Sequence, residues 1–199
     1  MAAALAGPIH AASTKFQSTW MSPDAASVDL RGQKVVALVI RKDDVSRQDA
    51  EHTLARELTA RGMQGIEAYT IVPASELRNR DAAKARMEKA GIAAVVVMKE
   101  VGQRTDFTES WATFYASGSY NSFWGYYGSS WSYIYEPSYL SMDRVVTVET
   151  LVYDLPRDKL VWAGMSNSTN PKMVMTLIKD LVAETAKEMK KQGLVRPRK

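Results

Sequence analysis

Cysteine is absent from this 199-residue chain. That excludes disulfides, thiolate nucleophiles, iron–sulfur clusters and cysteine-bound zinc. Histidine is scarce: His10 and His52 are the only two, which leaves almost nothing for a histidine metal site or a Ser-His-Asp triad. No apolar run approaches the roughly 20 residues of a membrane-spanning helix. The glycine spacings that cradle phosphates are missing as well. Nothing matches a P-loop, and the apolar run ending at Ile40 is followed by Arg41-Lys42-Asp43-Asp44, with no glycine to admit a phosphate to the backbone. Gly164-Met165-Ser166-Asn167-Ser168 lacks the closing glycine of a nucleophile elbow. The expectation is therefore a protein with no catalytic residue, no cofactor and no metal.

What is present is ordinary for a globular domain: 46% apolar and 24% charged residues. A chain of this length buries roughly 70% of its unfolded surface. The net charge is +4, and Lys187, Lys190, Lys191, Arg196, Arg198 and Lys199 crowd one end. No aromatic residues interleave with these cations, so they read as a solvated helix end rather than a nucleic-acid surface. Residues 1–12 are alanine-rich and read as a leader or signal remnant outside the fold. That points to an exported chain, with a cytoplasmic start the competing reading.

From Gln33 the pattern is regular. Val35–Ile40 suits a central strand covered on both faces. A helix follows, with Ser46 as its expected cap, Ala50, Leu54 and Leu58 as its buried stripe and Gly62 as its stop. A second strand is expected over 65–72, a second helix within Ser75–Ala90 ended by Gly91, and a third strand over Ile92–Met98. Later come an imperfect strand over 104–117, a clearer one over Val145–Tyr153, a hairpin into Leu160–Ala163, and a closing helix capped by Asn170 with Pro171 at its first turn. The fold expected is α/β (α+β): one domain over 13–199, with a βαβαβ first half, an antiparallel hairpin region and a C-terminal helix on a mixed sheet.

The unusual stretch is an aromatic-rich insertion at 111–139. It holds 12 of the chain's 18 aromatic residues, with Gly118, Gly125, Gly128 and several serines between the rings and a single charge, Glu136. Three readings compete: a ragged loop covering a sheet face, a recognition surface of rigid rings and small polar groups, and contact with a membrane interface. The recognition reading makes Trp111, Tyr115, Tyr120, Phe123, Trp124, Tyr126, Tyr127, Trp131, Tyr133 and Tyr135 the partner-binding candidates. Asp43-Asp44, at a strand's carboxyl end, is the one position that suits a ligand site in an α/β fold. Asp154 and Asp158 read as turn formers, and His52 as a surface residue.

Several stretches resemble a family of uncharacterised bacterial envelope lipoproteins with a tyrosine- and glycine-rich loop. They are Ser13-Thr14-Lys15-Phe16-Gln17-Ser18-Thr19-Trp20, Phe123-Trp124-Gly125-Tyr126-Tyr127-Gly128, Val148-Glu149-Thr150-Leu151-Val152-Tyr153-Asp154, and Lys159-Leu160-Val161-Trp162-Ala163-Gly164 with Thr169-Asn170-Pro171. Such proteins carry a lipidated cysteine at the mature N-terminus; here Leu5-Ala6-Gly7 is followed by Pro8. The resemblance implies a non-enzymatic protein of the periplasm or outer membrane, a binding or scaffold module. Its implied partners are an envelope protein, a cell-wall glycan or further copies of itself, with no nucleic acid and at most peripheral membrane contact. The alternatives are a hydrolase or transferase with a strand-end carboxylate site, and a self-assembling structural protein.

Overall fold

The computed structural model describes residues 13–102, 115, 118–134, 145–169 and 173–192. Among them, six strands form one mixed sheet: β1 (Ser13–Met21), β2 (Lys34–Ile40), β3 (Gln64–Glu67), β4 (Ala94–Val101), β5 (Val145–Asp154) and β6 (Lys159–Thr169), in the order β1-β6-β5-β4-β2-β3. Strands β3, β2 and β4 run parallel, and β5, β6 and β1 add antiparallel. The helices are α1 (Asp44–Ala60), α2 (Ala68–Ile71), α3 (Arg80–Lys89), α4 (Phe123–Ser130) and α5 (Val174–Lys191). This is the α/β class the alternation of patterns implies.

The chain leaves β2 toward β3 on one side and then crosses to β4 on the other. Right-handed crossovers in opposite directions place their helices on opposite faces of the sheet, and the core divides accordingly. Val35, Ala37 and Val39 of β2 join Ala50, Leu54 and Leu58 of α1 and Leu181 and Val182 of α5 in one layer. Val36, Leu38 and Ile40 join Met87 of α3 and the rings of α4 in the other. Every residue from Val35 to Ile40 is buried, which is why the run shows no alternation. On β5, Val146, Val148 and Val152 face the α1–α5 layer and Leu151 and Tyr153 the α3–α4 layer, a clean period of two.

Several local expectations need correction. Helix α1 starts earlier than Ser46: Asp43 is its cap, its Oδ2 accepting the Ser46 amide at 2.8 Å. An aspartate caps as well as a serine, and here only Arg41, Lys42 and Asp43 separate the strand from the helix. The strand expected over 65–72 is only four residues long, because the chain turns into α2 at Ala68. Residues 13–21 form an edge strand that the sequence reading overlooked. The part of α5 that is described begins at Val174 after Met173; Asn170 and Pro171 lie outside the described residues, as does the expected strand over 104–117 apart from Tyr115.

Two glycines are fixed by close approach. A Cβ at Gly65 would overlap the Ala55 carbonyl of α1, and one at Gly164 would overlap the Phe16 and Trp162 rings. The first lets α1 lie directly on β3; the second leaves room for the edge-to-face pair of Phe16 and Trp162, with centroids 5.6 Å apart.

Candidate functional site

The aromatic segment is not a loop of outward rings. Gly118–Tyr120 forms a 3-10 turn and Phe123–Ser130 forms α4. Ser122 caps α4 by accepting the Gly125 amide at 3.1 Å. Asp158, at the β5–β6 turn, accepts both the Ser122 hydroxyl at 2.6 Å and the Trp124 amide at 3.1 Å. Asp158 thus does more than form a turn: its carboxylate holds the positive end of α4 and does so from a backbone φ of 50°.

Of the ten partner-binding candidates, six face inward. Tyr115, Phe123 and Tyr127 have no exposed surface, and Trp124, Tyr126 and Trp131 are buried as well. Tyr120 is half-buried and packs on Tyr115 and Tyr126, with centroids 5.6 and 5.2 Å apart. Tyr133 is 69% exposed. Trp111 and Tyr135 lie outside the described residues. For the six buried rings, the expected recognition surface is replaced by a lid on the sheet. The physical reason is that, among the described residues, no long amphipathic helix covers the half of the sheet facing α4, so large rings supply the area instead. The sequence lacked a helical period here because Phe123, Trp124, Tyr126 and Tyr127 are all buried around so short a helix, while Gly125 packs against the Ser119 backbone and Gly128 is exposed.

Under this lid sits a buried carboxylate. Glu149 of β5 accepts the Tyr126 hydroxyl at 3.0 Å and meets the Tyr115 hydroxyl at 3.5 Å. Lys99, its cross-strand neighbour on β4, donates to the Ser130 carbonyl at 3.0 Å. Burial, and then the charge of Glu149, push the Tyr126 hydroxyl well above its usual range. Burial does the same to Tyr153, which donates to the Tyr120 carbonyl at 3.0 Å. Phenols shifted this way stay protonated near neutrality. They act as hydrogen-bond donors that tie lid to sheet, not as bases.

The strand-end carboxylates are occupied too. Asp43 caps α1, and the Ser46 hydrogen bonds hold it below the usual carboxylate range. Asp44 accepts Arg47 Nε at 3.2 Å. Behind them lies a fully buried pair: Arg47 Nη1 donates to Glu51 Oε1 at 3.0 Å. Glu51 Oε1 also meets the Val39 amide at 3.3 Å, and Oε2 accepts the Tyr69 amide at 2.9 Å. One side chain thus stands in for the ladder that β3 abandons at Glu67 and caps α2. Burial pushes Glu51 up to about 7, against the pull of Arg47 and the two amides. The sequence reading missed this residue; its signal is a glutamate beside Ala50 on the inward stripe of α1. His52, half exposed, meets Glu67 Oε1 at 2.8 Å. Among the described residues no three His, Asp or Glu side chains gather as a metal site, and no helix is long and apolar enough to cross a membrane.

An open concavity lies on the opposite face. A cavity of about 520 Å³ lies between α1 and α5, floored by Val96, Met98 and Val152 of the sheet and edged by residues 27–31. Leu54, Leu58, Val182 and Met189 supply its walls. Its charged lining residues are Asp29, Arg31 and Arg61. A volume of this size falls within the roughly 300–1,000 Å³ of small-molecule sites.

No family model matches the chain, and no curated protein matches it. Among solved structures, it is similar to the PelC dodecamer from Paraburkholderia phytofirmans, with 14% identity, a TM-score of 0.45 and coverage of 87% of this chain and 94% of that one. It is also similar to the lipoprotein GNA1162 from Neisseria meningitidis, with 17% identity, a TM-score of 0.40 and coverage of 79% and 96%.

Proposed function

We propose that this chain is a non-enzymatic, exported protein of the bacterial cell envelope that works by binding, with the α1–α5 face as its binding face and the aromatic segment as the structural cover of the other. The observation that carries this reading is the cavity: its walls are aliphatic, and its titratable residues, Asp29, Arg31 and Arg61, make no pair suited to proton transfer near neutral pH. Among the described residues, a site of that kind can hold a molecule and presents no acid–base pair for transforming it. The carboxylates that would serve an enzyme are engaged elsewhere, Asp43 and Glu51 at the N-terminal ends of α1 and α2 and Glu149 in anchoring the lid. The envelope assignment draws on the resemblance of the stretches around Trp20, Tyr126, Tyr153 and Trp162 to envelope lipoproteins.

The test is native mass spectrometry after incubation with a total lipid extract of bacterial envelopes. The expected result is a complex whose ligand is recovered chemically unchanged. No retained ligand would contradict the reading. So would a ligand recovered as a converted product, with conversion lost in Asp43→Ala or Glu51→Gln, which would favour the strand-end hydrolase or transferase.

A further inference from the structure

We propose that the cavity between α1 and α5 takes the aliphatic chain of a fatty carboxylate, its charged end held at the mouth by Arg31 and Arg61. This inference rests on the binding reading above and names the ligand class. Three observations lead to it. The walls and floor are aliphatic or thioether side chains, so the interior suits a hydrocarbon and rejects a hydrated group. Met63, Met98 and Met189 all line it, and unbranched methionines adjust to chains of different length and curvature.

The mouth is the second observation. Two of the three charged lining residues are arginines. Arg31 holds Asp29 at 3.1 Å and Arg61 holds Glu57 at 2.7 Å. A guanidinium carries five N–H donors in a fork matched to carboxylates, so each keeps donors beyond those contacts.

The third is a lone hydroxyl. Thr185 lines the cavity and is only 7% exposed, yet its Oγ1 has no hydrogen-bond partner. A buried donor left unpaired is unfavourable. The oxygen itself has almost no accessible surface, so a rotation about χ1 is what would bring it to a ligand oxygen in the cavity; a pure hydrocarbon offers no such oxygen.

Isothermal titration calorimetry on the whole chain, below the micelle concentrations, tests this with octanoate, decanoate and dodecanoate, and with dodecyl maltoside and dodecyltrimethylammonium as neutral and cationic comparisons. Affinity should rise about fourfold per added methylene, and dodecanoate should bind at least tenfold more tightly than the cationic amphiphile. Arg31→Gln combined with Arg61→Gln should erase the headgroup preference and keep the chain-length dependence. Ala186→Trp, at a half-buried lining position, should weaken dodecanoate at least tenfold, with an unchanged melting temperature as its folding control. Equal binding of all three headgroups would overturn the fatty-carboxylate assignment while leaving the binding reading standing. Affinity independent of chain length would remove the ligand from the cavity. No binding of any amphiphile by the folded chain would sink this inference and the binding reading together.

Discussion

Phe123→Ala measures whether the aromatic segment is core. The Phe123 side chain has no exposed surface, and its ring centroid lies 4.6 Å from Trp124, 5.3 Å from Tyr153 and 5.6 Å from Tyr127. Truncation removes the transfer energy of a whole phenyl group and leaves a void among rigid rings that cannot collapse to fill it. Such changes cost about 3–5 kcal/mol. For a chain of this size each kcal/mol lowers the melting temperature by roughly 2–4 °C, so the drop should be at least 6 °C. Tyr133→Ala is the matched control: the same segment, but a ring 69% exposed, with a change expected within about 0.5 kcal/mol. Urea unfolding followed by far-UV circular dichroism gives both numbers, provided the slope with denaturant stays constant. A Phe123→Ala chain within 1 kcal/mol of the parent, or one no different from Tyr133→Ala, would refute the lid.

Asp158→Ala frees the Ser122 hydroxyl and the Trp124 amide at once and should cost about 1–2 kcal/mol by the same assay, whereas Asp158→Asn, which keeps an acceptor and tolerates the positive φ, should cost less. Gly65→Ala drives a methyl into the backbone of α1 at Ala55 and should cost at least about 1–3 kcal/mol in melting temperature or urea midpoint, since a backbone carbonyl cannot rotate away as a side chain would. Glu51 gives a pH signature. Its folded value of about 7 stands above the ordinary 4.5, so the folded state holds the proton more tightly. Its contribution is then largest in acid and is lost as pH rises from about 4.5 to about 7, by on the order of 3 kcal/mol. Stability curves for the parent and Glu51→Gln should converge in slope above pH 7 and differ between pH 5 and 7; parallel curves throughout would contradict the burial of this carboxyl.

The alternation of apolar strands with helices stopped by glycine was legible because those signals are local. Gly62 and Gly91 end α1 and α3 at positive φ of 89° and 66°, and Ala50, Leu54 and Leu58 face the sheet as their spacing implies. Strand β1 was hidden because Ser13–Met21 mixes polar and apolar residues, as suits an edge whose pairing with β6 comes from 140 or more residues away in the chain. The direction of the aromatic rings was also beyond local reading. Composition states that rings must be dried, and only the tertiary arrangement decides whether the sheet beneath or a partner does it. The further roles of Glu51, Glu149 and Asp158 were passed over for a related reason: each serves groups far away in the chain, Glu51 the Val39 and Tyr69 amides, Asp158 the Ser122 hydroxyl and Trp124 amide, and Glu149 the phenols of the lid. The cavity has no sequence signature at all, since Leu54, Val152 and Met189 look like core until the spacing of α1 and α5 is known.

The most direct measurement is a methyl NMR titration of the chain labelled at its methionine methyls with dodecanoate. Met63, Met98 and Met189 line the cavity, while Met87 belongs to the opposite layer and Met165 lies across from Glu149 beneath the lid. The account predicts saturable shifts at the first three and none at Met87 or Met165. Shifts confined to Met87 and Met165, or no saturable shift anywhere in a folded chain, would contradict it.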